Sequence, residues 1–323
     1  MEEYWKHETD EHGRYISSNS IMTKLGVLHL PLINIWGKVL QTKLSNFFNI
    51  VYKAPSQFKI INTIDIDNAW AFNNKGVVRS VGGVGKAALK GDFTEVKNRV
   101  GTTILGKEDP YDTYDYINQI TKEKDVESIY FFLLGDRAEF DKNVSHKNPK
   151  LIQLIQELSK ENKIGIHPSY QSYLKASVQE KEKKRLEKIV KSEVVLARKH
   201  FLKLSIPETY RNYAPVGIKE DYTMGYADNV GFRAGICTSF TFFDIIEDKE
   251  LPLKVTPFSY MDGSLNQYLK LSIKESIQKI QQLKAEVKSV NGHFIGVWHN
   301  ETLNDKGIWK GWKAVYEEGL TSN

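Results

Sequence analysis

The sequence predicts an α/β protein built from parallel strands joined by helical crossovers, and three observations carry the prediction. Short β-branched or aromatic runs alternate with amphipathic stretches at helical spacing from about residue 58 onward. Runs such as Ile129-Tyr130-Phe131-Phe132-Leu133-Leu134 are apolar without a break, as strands covered on both faces should be. An acidic or imidazole side chain closes several of these runs, the pattern of a barrel whose mouth carries the chemistry.

The first 50 or so residues hold apolar anchors at Trp5, Tyr15, Leu28, Leu30 and Trp36, too few for an independent core. Ala54-Pro55-Ser56 marks a boundary, because proline removes a donor and disfavours helix before it. The chain therefore divides into residues 1–54 and 55–323. The β-branched run from Phe58 to Asp67 is the first strand. Asp109-Pro110 is expected to start a helix through Ile120, with aspartate as N-cap and proline in the first turn. Gly135 ends the strand that begins at Ile129. Asn148-Pro149 opens a helix in which Leu151, Ile152, Leu154, Ile155 and Leu158 keep one face apolar. A short strand, Lys163 to His167, follows, then a charged helix from Lys175 to Leu196. Further strands are expected at Lys199 to Leu204, Gly231 to Ala234 and Phe294 to His299, with a helix from Ser272 to Val290.

Composition narrows the function classes. The 323 residues are 41% hydrophobic and 26% charged, which suits a folded chain with a sizeable core. Forty-five basic against 40 acidic residues leave a net +5, too mild and too scattered for nucleic acid to be expected as a partner. The lysines from 181 to 191 alternate with Glu182 and Glu187, as on a solvated helix face. One cysteine, Cys237, excludes an internal disulfide and a thiolate metal cluster. Met1 to Lys6 is polar, and the apolar stretch Leu25 to Leu40 carries His29 and Lys38 and is too short for a bilayer, so a cytoplasmic protein without membrane insertion is expected. Gly82-Gly83-Val84-Gly85-Lys86-Ala87 fails as a phosphate loop, since Ala87 replaces the required hydroxyl and Ser80 the first glycine. Ala88 breaks the dinucleotide fingerprint as well.

Four places carry chemistry. Asp65 and Asp67 stand two residues apart at a strand's end, so both project to one side. Two neighbouring buried carboxylates need a proton or a cation, which suggests one metal ligand and one base, against the plainer reading of a solvated turn. His167 closes the Ile164-Gly165-Ile166 strand, His200 lies in the next apolar run, and His299 ends the last one. One carboxylate and two imidazoles suit zinc with a position left open for water. His7, His12, His29, His146 and His293 sit in polar or irregular surroundings and read as surface residues.

Taken together, the residues from about Pro55 to Trp312 resemble the polysaccharide deacetylase superfamily, the relatives of carbohydrate esterase family 4, and within it a bacterial subgroup with an N-terminal accessory domain. The resemblance implies a distorted (β/α)7 barrel, with residues 1–54 as the remnant of the accessory domain. It implies metal-dependent removal of an acetyl group from a saccharide. Asp65 matches the family's base, Asp67 its first metal ligand, His167 a metal-binding histidine and His299 the general acid. The family's second-motif histidine falls at Gln171 here, and His200 is expected to supply the missing imidazole, completing a zinc site of Asp67, His167 and His200. Arg198 corresponds to the arginine lining the pocket, and Arg233 is the candidate for orienting the base. Trp70, Tyr170, Asp221 and Trp298, with Arg198, are the expected saccharide contacts. Gln171, with aromatics such as Tyr173 and Tyr222 near the motifs, leaves open a carbohydrate-binding scaffold without catalysis.

Overall fold

The computed structural model describes residues 2–51, 57–74 and 93–322, with the single positions 82, 85, 89 and 91. The expected boundary at Ala54-Pro55-Ser56 and most of the glycine-rich run from Gly82 to Ala87 lie outside the described residues. Among the described residues nine strands form one sheet: β1 Lys59–Ile66, β2 Glu127–Phe132, β3 Lys163–Ile166, β4 Leu196–Ala197, β5 Glu220–Asp221, β6 Phe240–Asp244, β7 Lys249–Val255, β8 Tyr260–Met261 and β9 His293–His299. Their order is β6-β7-β5-β4-β3-β2-β1-β9-β8. All pairs are parallel except the β6–β7 hairpin.

Apart from that hairpin, the strands follow one another around the sheet, and the first pairs with the last. This is a barrel left open between its edge strands, β6 and β8. The link from β7 to β8 extends the pairing on either side, through Thr256 N–H to the Asp221 carbonyl of β5 at 2.8 Å and Ser259 N–H to the Ile295 carbonyl of β9 at 2.8 Å.

Strand alternation sorts side chains into two buried layers. Ile61, Ile129, Phe131, Tyr222, Phe258, Ile295 and Val297 fill the barrel interior. Ile60, Ile64, Ile66, Tyr130, Phe132, Phe294 and Trp298 face the surrounding helices. Gly165 is required where β3 meets this interior, because a Cβ there would stand 2.5 Å from the Phe131 ring. The helices Pro149–Leu158, capped by Asn148, and Ile273–Ser289, with a capping box of Ser272 and Glu275, match their sequence signals.

Three expected elements differ. The helix expected from Asp109 begins only at Tyr114, because the Asp109 carboxylate is taken by the N–H groups of Ala71, Phe72 and Asn73 at 2.7–2.9 Å. The strand expected from Lys199 is instead β4 at Leu196–Ala197 and then a turn, in which Phe201 and Leu202 take left-handed backbone with φ 60° and 52°. Gly231 to Ala234 is not a strand, since its backbone receives the N-terminal segment: Phe232 N–H donates to the Leu28 carbonyl at 2.9 Å. The charged helix is also shorter than expected, Ala176–Val190, ended by left-handed Lys191.

The N-terminal segment crosses the barrel's outside. Its helix Leu32–Phe48 turns its polar face inward, with Asn34 bonded to Thr238 and Lys38 to the Ser289 carbonyl. The apolar stripe of Ile33, Trp36, Leu40, Leu44 and Phe47 is exposed. Among the described residues no helix is long and apolar enough to cross a membrane.

Candidate active site

Four strand ends meet at the barrel mouth. The inward parity of Ile61 and Thr63 on β1 continues to Asp65 and Asp67, and Asp65 stands opposite His299 in the β1–β9 register. His167 follows β3 directly, and its N–H extends the ladder to the Phe132 carbonyl at 2.9 Å. His200 arrives on the left-handed turn after β4. Each such non-glycine residue costs on the order of 1–3 kcal/mol and is found mainly where function requires the geometry.

Asp67 is the centre of this cluster. Its Oδ1 lies 3.2 Å from His167 Nε2, and its Oδ2 lies 3.4 Å from His200 Nε2 and 4.0 Å from His299 Nε2. Ligand atoms of Asp67, His167 and His200 all fall within 4.8 Å of one another. The rings are oriented from behind. His167 Nδ1 donates to the Arg198 carbonyl at 2.7 Å, which turns Nε2 towards Asp67. His200 Nδ1 is held by Asp141 at 3.0 Å, and His299 Nδ1 by Asp262 at 3.0 Å. Asp141 is fixed in turn by the N–H groups of Tyr170 and Gln171 at 2.8 and 3.1 Å. Asp262 accepts from Thr302 Oγ1 at 2.6 Å and from His299 N–H at 2.8 Å.

The charges reinforce this arrangement. Burial disfavours a charged His200, yet Asp67 and Asp141 outweigh it and hold its pKa up at about 9. Burial likewise disfavours the Asp67 carboxylate, and His200 and His167 more than reverse that, keeping it well below the usual carboxylate range. His299 is raised well above an ordinary histidine, its burial overcome first by Asp262 and then by Asp67 and Asp65.

Asp65, buried beside this cluster, accepts a hydrogen bond from Arg198 Nη1 at 2.9 Å. Arg198 also donates through Nε to the Tyr222 carbonyl at 3.0 Å and stacks over Phe131 at 4.7 Å. In front of the cluster opens a cavity of about 210 Å³, whose outer wall includes Phe201, Met261, Gln267, Tyr268, Trp309 and Arg14.

Among solved structures, a Mycobacterium smegmatis protein assigned as a polysaccharide deacetylase superposes with a TM-score of 0.50 at 12% identity, over 84% of this chain and 85% of that one. The chain has the polysaccharide deacetylase-like fold. A Pseudomonas aeruginosa PAO1 protein with the same assignment aligns at TM-score 0.47 and 11% identity, over 82% and 84% of the two chains. Puue allantoinase aligns at 0.48 and 10% identity, over 83% and 85%. Residues 1–49 separately match a family described as "Family of unknown function (DUF7033)". No curated protein matches the chain.

On this deacetylase-like barrel, Asp65, Asp67, His167, His200 and His299 come together in one cavity. The other expected site residues do not join them. Arg198 is fully buried behind Asp65, where it positions a carboxylate and is out of a substrate's reach. Asp221 and Trp298 have the outward parity of their strands: Asp221 binds Thr223, Tyr210 and Tyr213, and Trp298 is packed under the helices against Tyr316. Trp70 is buried with its indole N–H toward Asp112 at 3.4 Å. Tyr170 lies beside the cavity, stacked on Phe140, with its hydroxyl accepting from Lys203 at 3.1 Å. Arg233 is bound to Glu3 and the Gly225 carbonyl, so it anchors the N-terminal segment and does not orient the base. His12 is no bare surface residue either, since it packs edge-on against Phe201 at 4.7 Å.

Sequence reasoning missed Asp141, Asp262, Arg14, Tyr268 and Trp309. Asp262 had a readable signal, an acidic residue closing the apolar pair Tyr260-Met261, as Asp65 closes its strand. Asp141 and Arg14 lie in irregular segments with no periodicity to mark them.

Proposed function

We propose that the chain is a metal-dependent hydrolase that removes an acetyl group from a saccharide. One observation carries the reading. Asp67 Oδ1 is a buried oxygen with no hydrogen bond beside His167 Nε2, its Oδ2 lies beside His200 Nε2, and the opposite nitrogens of both imidazoles are already engaged. An orphaned carboxylate oxygen among outward-held imidazoles is a donor set that fits a divalent cation. Asp67, His167 and His200 would hold it, zinc suits one carboxylate and two imidazoles, and bound there it would supply Lewis acidity to the acetyl carbonyl and the attacking water.

The chain's own groups perform the proton transfers. Asp65, kept in place by Arg198, takes a proton from the water that attacks the acetyl carbon. The bond from that carbon to the sugar's nitrogen or oxygen breaks, and His299 gives its Nε2 proton to the departing atom. A free amine or hydroxyl and acetic acid leave, the acid giving up its remaining proton to become acetate; the proton on Asp65 returns through solvent to His299, which restores both groups. Asp262 keeps His299 charged and ready to donate. Tyr268 and Trp309 on the cavity wall offer ring faces for a sugar. Residues 1–54 are proposed as an accessory segment on a barrel of residues 55–323, a division supported by the separate match over 1–49.

The second reading, a saccharide-binding scaffold without catalysis, rests on Gln171. That position still contributes, since its N–H helps hold Asp141 behind His200. The test is metal content of the purified protein together with acetate release from acetylated chitooligosaccharides and O-acetylated saccharides. About one equivalent of metal, lost in His167→Ala along with acetate release, supports the hydrolase. Saccharide binding with neither metal nor acetate release would establish the scaffold reading instead.

A further inference from the structure

We infer that the N-terminal loop Asp10–Arg14 is a working part of the metal centre, with Arg14 as the positioning residue for His200; the inference rests on the metal reading above. Arg14 lies outside the strands, on the segment that crosses the barrel, yet its side chain is buried at the wall of the site cavity. Its guanidinium joins three partners at once: Nε donates to Asp10 Oδ2 at 2.6 Å, Nη1 to the Phe201 carbonyl at 3.1 Å and Nη2 to the Tyr268 hydroxyl at 2.7 Å. Phe201 is the residue immediately after His200.

Two features make this contact specific. Phe201 and Leu202 hold consecutive left-handed conformations without glycine, so something outside the turn must keep it there. Arg14 binds the turn's carbonyl and is itself locked by Asp10, whose Oδ1 also accepts the N–H groups of His12 and Arg14 at 2.9 Å. The same loop reaches the group behind His200. The His12 ring packs edge-on against Phe201 at 4.7 Å, Phe140 at 5.4 Å and Tyr170 at 5.9 Å. Phe140 precedes Asp141, the acceptor for His200 Nδ1, and the Tyr170 N–H donates to that same carboxylate. One loop thus bears on both residues that decide where His200 Nε2 points. Without Arg14 the turn can relax, and His200 swings off Asp67.

The planar fork makes arginine necessary here, because a lysine reaches only one of the three partners at a time. The test uses the full-length protein loaded with cobalt(II), reading the dissociation constant by chelator competition and the ligand-field absorption, with chemical unfolding as a check that each variant is folded. Arg14→Ala and Arg14→Lys should each weaken cobalt binding by about 10–100-fold and shift the visible bands, as loss of a group that orients a ligand does. Glu3→Gln disturbs the same segment at its other anchor, Arg233, and should leave cobalt affinity within about twofold of the parent. Parent-like cobalt affinity in both Arg14 variants would overturn the inference. So would an equal loss in Glu3→Gln, which would mean that the segment acts only by general docking. If Arg14→Ala does not fold, Arg14→Lys decides alone. A parent protein that binds no cobalt removes the metal reading and this inference together, whereas a cobalt-binding parent with indifferent Arg14 variants removes only the inference.

Discussion

Replacing Asp141 with asparagine tests whether His200 is held as a ligand or merely buried. The carboxylate accepts from His200 Nδ1 at 3.0 Å and Tyr170 N–H at 2.8 Å through one oxygen, and from Gln171 N–H at 3.1 Å through the other. Asparagine keeps the shape but has one acceptor oxygen. With that oxygen toward His200 and Tyr170, its amide N–H₂ confronts the Gln171 N–H, donor against donor. Downgrading a charge-assisted bond to a neutral one costs about 1 kcal/mol, and the unpaired Gln171 N–H, at a residue that is itself exposed, costs about 1 kcal/mol more, the low end for a lost donor. The metal-free variant should therefore lose about 2 kcal/mol of stability, read from the denaturation midpoint. Metal affinity should fall by about 10–100-fold, or about 1.4–2.7 kcal/mol, read by competition with a chelator at fixed pH. Lost stability with unchanged affinity would show that Asp141 only props the loop, and the account of His200 as a positioned ligand would be wrong.

The other predictions are independent of this one. His200 is held protonated up to about pH 9 in the metal-free protein, so its contribution to stability is full below about pH 6.5 and lost as the pH rises through 9. Metal binding must expel that proton, so apparent metal affinity should rise by up to about tenfold per pH unit towards 9, with proton release visible by calorimetry in buffers of different ionisation enthalpy. Asp65→Asn should abolish acetate release while leaving metal affinity within a few-fold, because Asp65 stands outside the ligand trio, with its Oδ2 3.8 Å from His167 Nε2. Arg198→Ala should cost about 3–5 kcal/mol of stability, since it strands the buried Asp65 carboxylate. Trp298→Ala should cost about 3–5 kcal/mol with no change in metal affinity, because that ring packs toward the helices and away from the mouth.

Periodicity made the barrel's central strands readable. β2, β3 and β9 hold apolar runs and β1 a β-branched one; the rule that alternate residues share a face put Asp65 and Asp67 on one side, and the strand ends with the family resemblance added His167 and His299. The same rule, applied strictly, would have turned Asp221 and Trp298 outward, since both stand one residue out of phase with an inward neighbour. The two-residue strands β4, β5 and β8 are too short to carry a pattern. The β6–β7 hairpin did carry one, with Leu251, Leu253 and Val255 buried in alternation. His200 was expected on a strand and instead reaches the cluster on a left-handed turn that no propensity of Phe201 or Leu202 foretells, one whose Phe201 carbonyl is bonded by Arg14, nearly 190 residues earlier (|i−j| = 187). Asp141 and Arg14 belong to that long-range assembly, which leaves no local mark on the sequence.

X-ray absorption at the zinc or cobalt edge of the metal-loaded protein addresses the central claim most directly. The account predicts two imidazole nitrogens and one carboxylate oxygen around the ion, with one imidazole lost in His200→Ala and the carboxylate lost in Asp67→Ala. A first shell without imidazole, or one unchanged by either substitution, would contradict it.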